Sequence, residues 1–227
     1  MVALRFTEDE HARVSQAIAA AERRSDGEIV TVVTECSDAY HDVALHWAVL
    51  ALIAVLAAAA AFPGHLQFWY ILLFDASWGM APALGRLLFF VMALAVLTFT
   101  AVLLILKIIP LRLALTPGAT KQRRVRRRAI ALFRAAAERR TVGRTGILIY
   151  LSLAEHRAEL VADEAIVKVT TPDTWGEAMA ALVTHLKAGQ PADGMVAAIG
   201  IVGEVLQQHF PRSAGDTNEI PDKLIEL

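Results

Sequence analysis

Gly27-Glu28-Ile29-Val30-Thr31-Val32-Val33-Thr34 is the stretch that decides the fold. Its run of β-branched residues reads as a buried strand. Upstream, Val14, Ala17, Ile18 and Ala21 recur at helical spacing until Ser25-Asp26-Gly27 breaks the pattern. Thr7 followed by Glu8, Asp9 and Glu10 supplies an N-cap and an acidic first turn, so a helix begins near Glu8. One helix and one strand cannot bury each other, so the strand needs partners from elsewhere in the chain.

The chain does not supply them next. Residues 43–62 read VALHWAVLALIAVLAAAAAF, with one histidine and no formal charge. At ~1.5 Å per residue that run crosses a hydrocarbon core of ~30 Å. Residues 87–106, LLFFVMALAVLTFTAVLLIL, form a second such run, closed by Lys107 and Pro110. Thr98 and Thr100 are its most polar members, and their hydroxyls can bond back to the helix backbone. The segment between, 63–86, is apolar but carries Asp75, Gly79 and Pro82, with Trp69, Tyr70 and Trp78 suited to the headgroup zone. It is expected to form an interfacial or re-entrant loop, with a third crossing as the alternative. About forty patterned residues precede the first run, which disfavours a signal peptide.

The whole-chain averages conceal this division. Hydrophobic residues make up 56% of the 227, and the excess lies between residues 43 and 106. The net charge of −1 hides 4 basic against 9 acidic residues over 1–42, and 11 against 1 over 111–144. The basic excess after the second run, including Lys107, Arg112 and the cluster Lys121, Arg123, Arg124, Arg126, Arg127 and Arg128, places that side in the cytoplasm by the positive-inside rule. Two crossings then put both termini in the cytoplasm, in an inner-membrane, multi-pass arrangement. The single cysteine excludes an intrachain disulfide framework.

Partners for the first strand follow the apolar region. Residues 146–153 (GILIYLSL), a turn at Ala154-Glu155-His156, and residues 157–162 (RAELVA) form an antiparallel hairpin. A helix starts at Thr171-Pro172-Asp173 and runs through Trp175, Met179, Leu182, Val183 and Leu186. Another runs from Ala192 through Val196, Ile199, Val202 and Leu206. The expected organisation is the first part of an α/β domain over 1–42, a transmembrane hairpin over 43–110, a basic juxtamembrane helix over 111–140, the rest of the domain over 141–211 and a C-terminal tail over 212–227. If both halves share one sheet they lie on one side of the membrane, which requires an even number of crossings.

Residues 27–33 (GEIVTVV), 144–153 (RTGILIYLSL) and 159–164 (ELVADE), continued from Asp193-Gly194 to Phe210, resemble the TPM domain family, which includes thylakoid lumen and photosystem II repair proteins. The chain looks like a bacterial membrane branch with the hairpin inserted after the first strand. The resemblance implies a small α/β/α sandwich, with acid phosphatase activity in some relatives, divalent-metal binding in others, and roles in maintaining membrane complexes.

Catalytic motifs are sparse. Cys36 is followed by Ser37-Asp38-Ala39-Tyr40-His41-Asp42, without the arginine or glycine-rich cradle that a phosphatase thiolate needs. No P-loop occurs, and the seven histidines show no zinc spacing. Glu35 and Asp38 follow the first strand and Asp163 and Glu164 follow the hairpin, so four carboxylates stand at strand termini. If they converge they would suit Ca²⁺ or Mg²⁺; otherwise they cap a helix and sit in a solvated loop. The basic cluster on a helix over about 119–140, with Ile130, Leu132 and Phe133 as its apolar side, is expected to meet anionic lipid headgroups rather than nucleic acid. Two functions stay open: an interaction module binding a membrane-protein partner, and a divalent-metal-dependent phosphatase.

Overall fold

The computed structural model describes residues 6–74, 83–136, 145–214 and 220–227. The chain divides into two compact units: one comprises Met1–Ala39 and Gly118–Leu227, the other Tyr40–Pro117.

The discontinuous unit is a mixed α/β sandwich. Helix α1 (Glu8–Glu22) starts in a capping box: the Thr7 hydroxyl accepts from the Glu10 N–H, and the Glu10 carboxylate accepts from the Thr7 N–H at 2.7 Å. Strand β1 (Glu28–Thr34) pairs in parallel with β2 (Gly146–Ser152), and β2 pairs antiparallel with β3 (Arg157–Ala162). The turn at 154–156 is where the sequence places it, with His156 in the left-handed region at φ 50°. A fourth strand, β4 (Leu224–Glu226), pairs in parallel with the other edge of β1, so the order is β3-β2-β1-β4. The segment expected to be a C-terminal tail therefore closes the sheet. Three residues are too few to display a period of two, so sequence pattern alone does not reveal this strand.

Alternate residues of β1 and β2 serve two cores. Ile29, Val33, Ile147, Ile149 and Leu151 pack against α1, α8 (Gly176–Lys187) and α9 (Pro191–His209), through Val14, Ile18, Leu182, Met195 and Ile199. Val30, Val32, Leu148 and Tyr150 face the other way, onto Val125, Ala129 and Phe133 of helix α6 (Gly118–Ala136). Burial on both faces explains why β1 and β2 show unbroken apolar runs rather than alternation. Helix α6 is thus one layer of the sandwich and the crossover between parallel strands β1 and β2. It falls within the segment 111–140 expected to be a basic helix; its buried face is Val125, Ala129 and Phe133, with Leu132 packed against the same core and Ile130 half-buried. Arg139, Arg140 and Arg144 lie outside the described residues. Helices α1 and α9 approach closely at Gly203, where an added Cβ would stand 2.7 Å from that of Ala21. Between β3 and α8 lie the short helix α7 (Glu164–Val169) and a 3₁₀ turn (Pro172–Trp175).

The described residues of the second unit form four helices, α2 (His41–Ala61), α3 (Pro63–Phe74), α4 (Leu84–Ile105) and α5 (Ile109–Ala114), with short turns following α4 and α5. α2 packs on α4. α3 joins α4 through Tyr70 and Phe74, whose rings lie 5.7 and 5.9 Å from that of Phe90. The first half of the expected loop is therefore a helix, which Pro63 is suited to begin; Asp75, Trp78, Gly79 and Pro82 lie outside the described residues. Arg112 is buried, and its guanidinium donates to the carbonyls of Leu106 at 2.7 Å and Lys107 at 3.2 Å. It caps the C-terminal end of α4, where cations are favoured.

α2 and α4 span 21 and 22 residues and are long and apolar enough to cross a membrane. Only 17% of the most apolar stretch of α2, and 6% of that of α4, is buried. Leu50 and Ile53 on α2, and Leu88, Phe89, Val96 and Leu97 on α4, all stand exposed.

Candidate functional site

The C-terminal ends of β1 and β2 carry a dense polar network. The pairing of the two strands continues past their ends, with the N–H groups of Leu153 and Ala154 donating to the carbonyls of Thr34 and Glu35 at 3.0 and 2.9 Å. This brings the β2–β3 turn over the loop after β1. There the buried Glu155 carboxylate accepts the Ser37 N–H, at 2.9 and 3.2 Å to its two oxygens, and the Ser152 hydroxyl. The Tyr150 hydroxyl lies between Thr34 Oγ1 at 2.7 Å and Ser37 Oγ at 2.8 Å. Burial pushes the Tyr150 phenol above its ordinary range, so it remains protonated.

Cys36 Sγ donates to the Asp38 carbonyl at 3.1 Å. Burial, reinforced by the neighbouring Glu155 carboxylate, pushes the Cys36 thiol up to about 11. At neutral pH it is a thiol, not a nucleophilic thiolate. The Glu155 carboxylate is engaged by a backbone amide and a hydroxyl. The arrangement clamps a loop. Glu155→Ala leaves the Ser37 N–H and Ser152 O–H without their acceptor, at ~1–3 kcal/mol each. The variant is expected to melt about 10 °C lower, with Glu155→Gln recovering part of the loss; thermal unfolding of both variants checks this.

The four carboxylates considered for a metal do not converge. β3 runs antiparallel to β2, so Ala162 pairs with Ile147 while Arg157 pairs with Ser152, which in turn pairs with Thr34. Asp163 and Glu164 therefore stand where β1 and β2 begin, and Glu35 and Asp38 where they end, roughly 20 Å apart along the strands. Each pair has local duties. Asp163 Oδ2 accepts from the Gly146 N–H at 3.0 Å, and Glu164 pairs with Lys168 at 2.9 Å. Asp38 Oδ2 pairs with Arg124 at 3.2 Å and Arg127 at 3.1 Å. Among the described residues no group of three or more His, Cys, Asp or Glu side chains is placed to hold a metal ion.

The basic cluster divides by its place on α6. Arg124 and Arg127 fasten the helix to the loop after β1 through Asp38, while Arg123, Arg126 and Arg128 are exposed and Lys121 is half-buried. Arg126 lies 3.8 Å from Glu159, which also accepts from the Gln122 amide. Burial raises the Glu159 carboxyl despite these partners.

Two features have no sequence signature. Glu22, at the end of α1, is buried and accepts the Ile29 N–H at 2.7 Å. Burial, with Asp222 and Glu28 beside it, pushes its carboxyl up to about 9. The second feature is a cavity of about 280 Å³ at the outer edge of β3, lined by Leu160, Val161 and Ala162, by Arg126 and Ile130 of α6, and by Trp175. Only the position of β3 at the edge of the sheet creates it, and strand order is not written in any one segment.

No protein-family model matches the chain, and no curated protein matches it in sequence. Among solved structures the chain is similar to the NMR structure of the BA42 protein from the psychrophilic bacterium Bizionia argentinensis. The match covers 100% of this chain and 99% of that one, with a TM-score of 0.58 and 16% identity. At that identity the likeness is one of fold: the α/β architecture recurs in a bacterial protein of known structure.

Proposed function

We propose that this protein is a membrane-anchored binding module, a TPM-like α/β/α domain held on the cytoplasmic face of a bacterial inner membrane by a two-helix hairpin. The observation that carries the reading is the apolar, almost wholly exposed surface of α2 and α4. Helices of that length buried in a soluble core lose such surface to packing. Helices in a bilayer keep it, because lipid covers it.

The connectivity supports the same reading. The chain leaves the sandwich just after Asp38 and re-enters at α6, and Asp38 is paired with Arg124 and Arg127 of that helix. Exit and return lie on one side of the domain, as an even number of crossings requires. The basic residues of α6 favour anionic headgroups and a cytoplasmic position. The partner is a membrane protein, met during assembly or quality control.

The test is photo-crosslinking in intact cells from reporters at exposed positions on α6, followed by alkaline extraction of the membranes. The chain is expected to stay in the pellet with discrete crosslinked membrane proteins. Recovery in the supernatant, or a reporter profile identical to that of an unrelated membrane anchor, would overturn the reading.

A further inference from the structure

We infer that the outer edge of β3 takes up an extended, acidic peptide segment as a fifth strand of the sheet, which names the binding surface of the module proposed above and rests on that reading. In the antiparallel ladder directly opposite residues alternate between bonded and non-bonded pairs. The Asp163 N–H donates to the Gly146 carbonyl at 2.9 Å, one rung beyond the Ala162–Ile147 pair. Arg157, Glu159 and Val161 therefore direct their backbone groups at β2. Ala158, Leu160 and Ala162 turn theirs outward, and among the described residues no strand lies on that side. β3 is only half-buried along most of its length, unlike β1 and β2.

The cavity at this edge draws its lining from both layers of the sandwich. Leu160, Ala162 and Trp175 belong to the core beneath α8 and α9, whereas Val161 belongs to the core beneath α6, the helix that supplies Arg126 and Ile130. A hollow that straddles a sheet edge in this way is where a further strand would lie, with alternate side chains directed to the two sides. Val167, Thr170 and Thr171 complete the lining, and exposed Val169 extends the apolar surface alongside.

Charge selects the occupant. A second hollow of about 370 Å³ adjoins the first, shares Arg126 and Ile130 with it, and is lined further by Arg123, Arg127 and Arg134. Among the described residues neither hollow has an acidic residue in its lining, while at their margins Arg126 lies 3.8 Å from the buried Glu159 and Arg127 pairs with Asp38 at 3.1 Å. The complementary segment alternates β-branched apolar residues, which enter the cavity, with carboxylates, which meet the arginines.

The test uses the full chain in lipid nanodiscs and a labelled peptide, acetyl-EVEVEVE-amide, read by fluorescence anisotropy. Saturable binding is expected. It should weaken by about tenfold or more in three independent ways: with a KVKVKVK peptide, with the acidic peptide N-methylated at alternate amides, and with the Arg126→Glu chain. The N-methylated peptide leaves the protein untouched, so this arm stands even if a variant folds poorly. Absence of saturable binding at millimolar peptide, equal binding of the N-methylated form, or crosslinks joining β3 to β3 of a second copy would each overturn the inference. Those failures are separable from failure of the membrane reading: the chain would still resist alkaline extraction and still crosslink to membrane proteins.

Discussion

Leu97→Asp is expected to move most of the chain out of the alkali-resistant membrane fraction. Leu97 lies near the middle of α4 and is 67% exposed. If that face met water, replacing a large apolar side chain with a carboxylate would change stability by no more than ~0.5 kcal/mol and improve solubility. If it meets lipid, an aspartate near the centre of the span costs ~2.5–3.5 kcal/mol on insertion scales, a factor of roughly 100 in the inserted fraction. The two environments thus predict effects of opposite sign from one substitution. Adding Ile53→Asp on α2 should abolish insertion, whereas Lys107→Asp, at the end of α4, should be mild. Alkaline extraction of the three variants, with glycosylation mapping between α2 and α4, reads the outcome. A soluble, well-folded Leu97→Asp protein whose parent was already in the supernatant would remove the membrane from the account.

The second large effect concerns Glu22. Its carboxyl titrates near 9 in the folded protein against 4.5 when unfolded, because the folded state buries it beside Glu28 and Asp222. Between those values the folded state holds a proton that the unfolded state releases. Stability therefore falls as pH rises through this window, with a slope of up to ~1.4 kcal/mol per unit. The contribution is complete below 4.5 and gone above about 9. Glu22→Gln keeps the acceptor for the Ile29 N–H and removes the titration. The variant should match the parent at pH 5 and melt roughly 5 °C or more above it at pH 8. Since other groups titrate alike in both proteins, the difference between the two pH profiles isolates Glu22. Parallel profiles would mean that Glu22 is already ionised in the fold.

Much of this architecture is legible locally. Thr7 and Glu10 announce their capping box, the run from Glu28 to Thr34 announces a buried strand, and the turn at 154–156 joins the two strands expected around it. Features that depend on strand order are different. Glu35, Asp38, Asp163 and Glu164 all follow strands, yet whether strand ends meet depends on pairing direction, and the β2–β3 hairpin carries the second pair to the far end of the sheet. The edge cavity is hidden for the same reason. Glu22 looks like any acidic residue at the end of a helix, and only its burial in the fold, with Asp222 brought beside it from some 200 residues later in the chain, turns it into a proton-holding carboxyl. In α6 Leu132 and Phe133 mark the apolar side among the arginines, but Val125 and Ala129, small and spaced a turn apart, do not stand out as the rest of the stripe that packs on the sheet. Charge says where a helix can meet water or lipid, but a few well-spaced small and apolar residues decide what it packs against.

The parallel pairing of β1 with β2 also has a consequence for biosynthesis. Thr34 and Tyr150, joined by one hydrogen bond, are 116 residues apart in the chain. At ~5–20 residues per second, β1 leaves the ribosome roughly 6–23 s before its neighbour exists. During that interval α2, α3 and α4 are made, so two long apolar helices emerge while a β-branched strand still waits unpaired beside them. β1 can pair only after α6 has followed those helices, and β4, made later than β2 and β3, closes the other edge of β1 last.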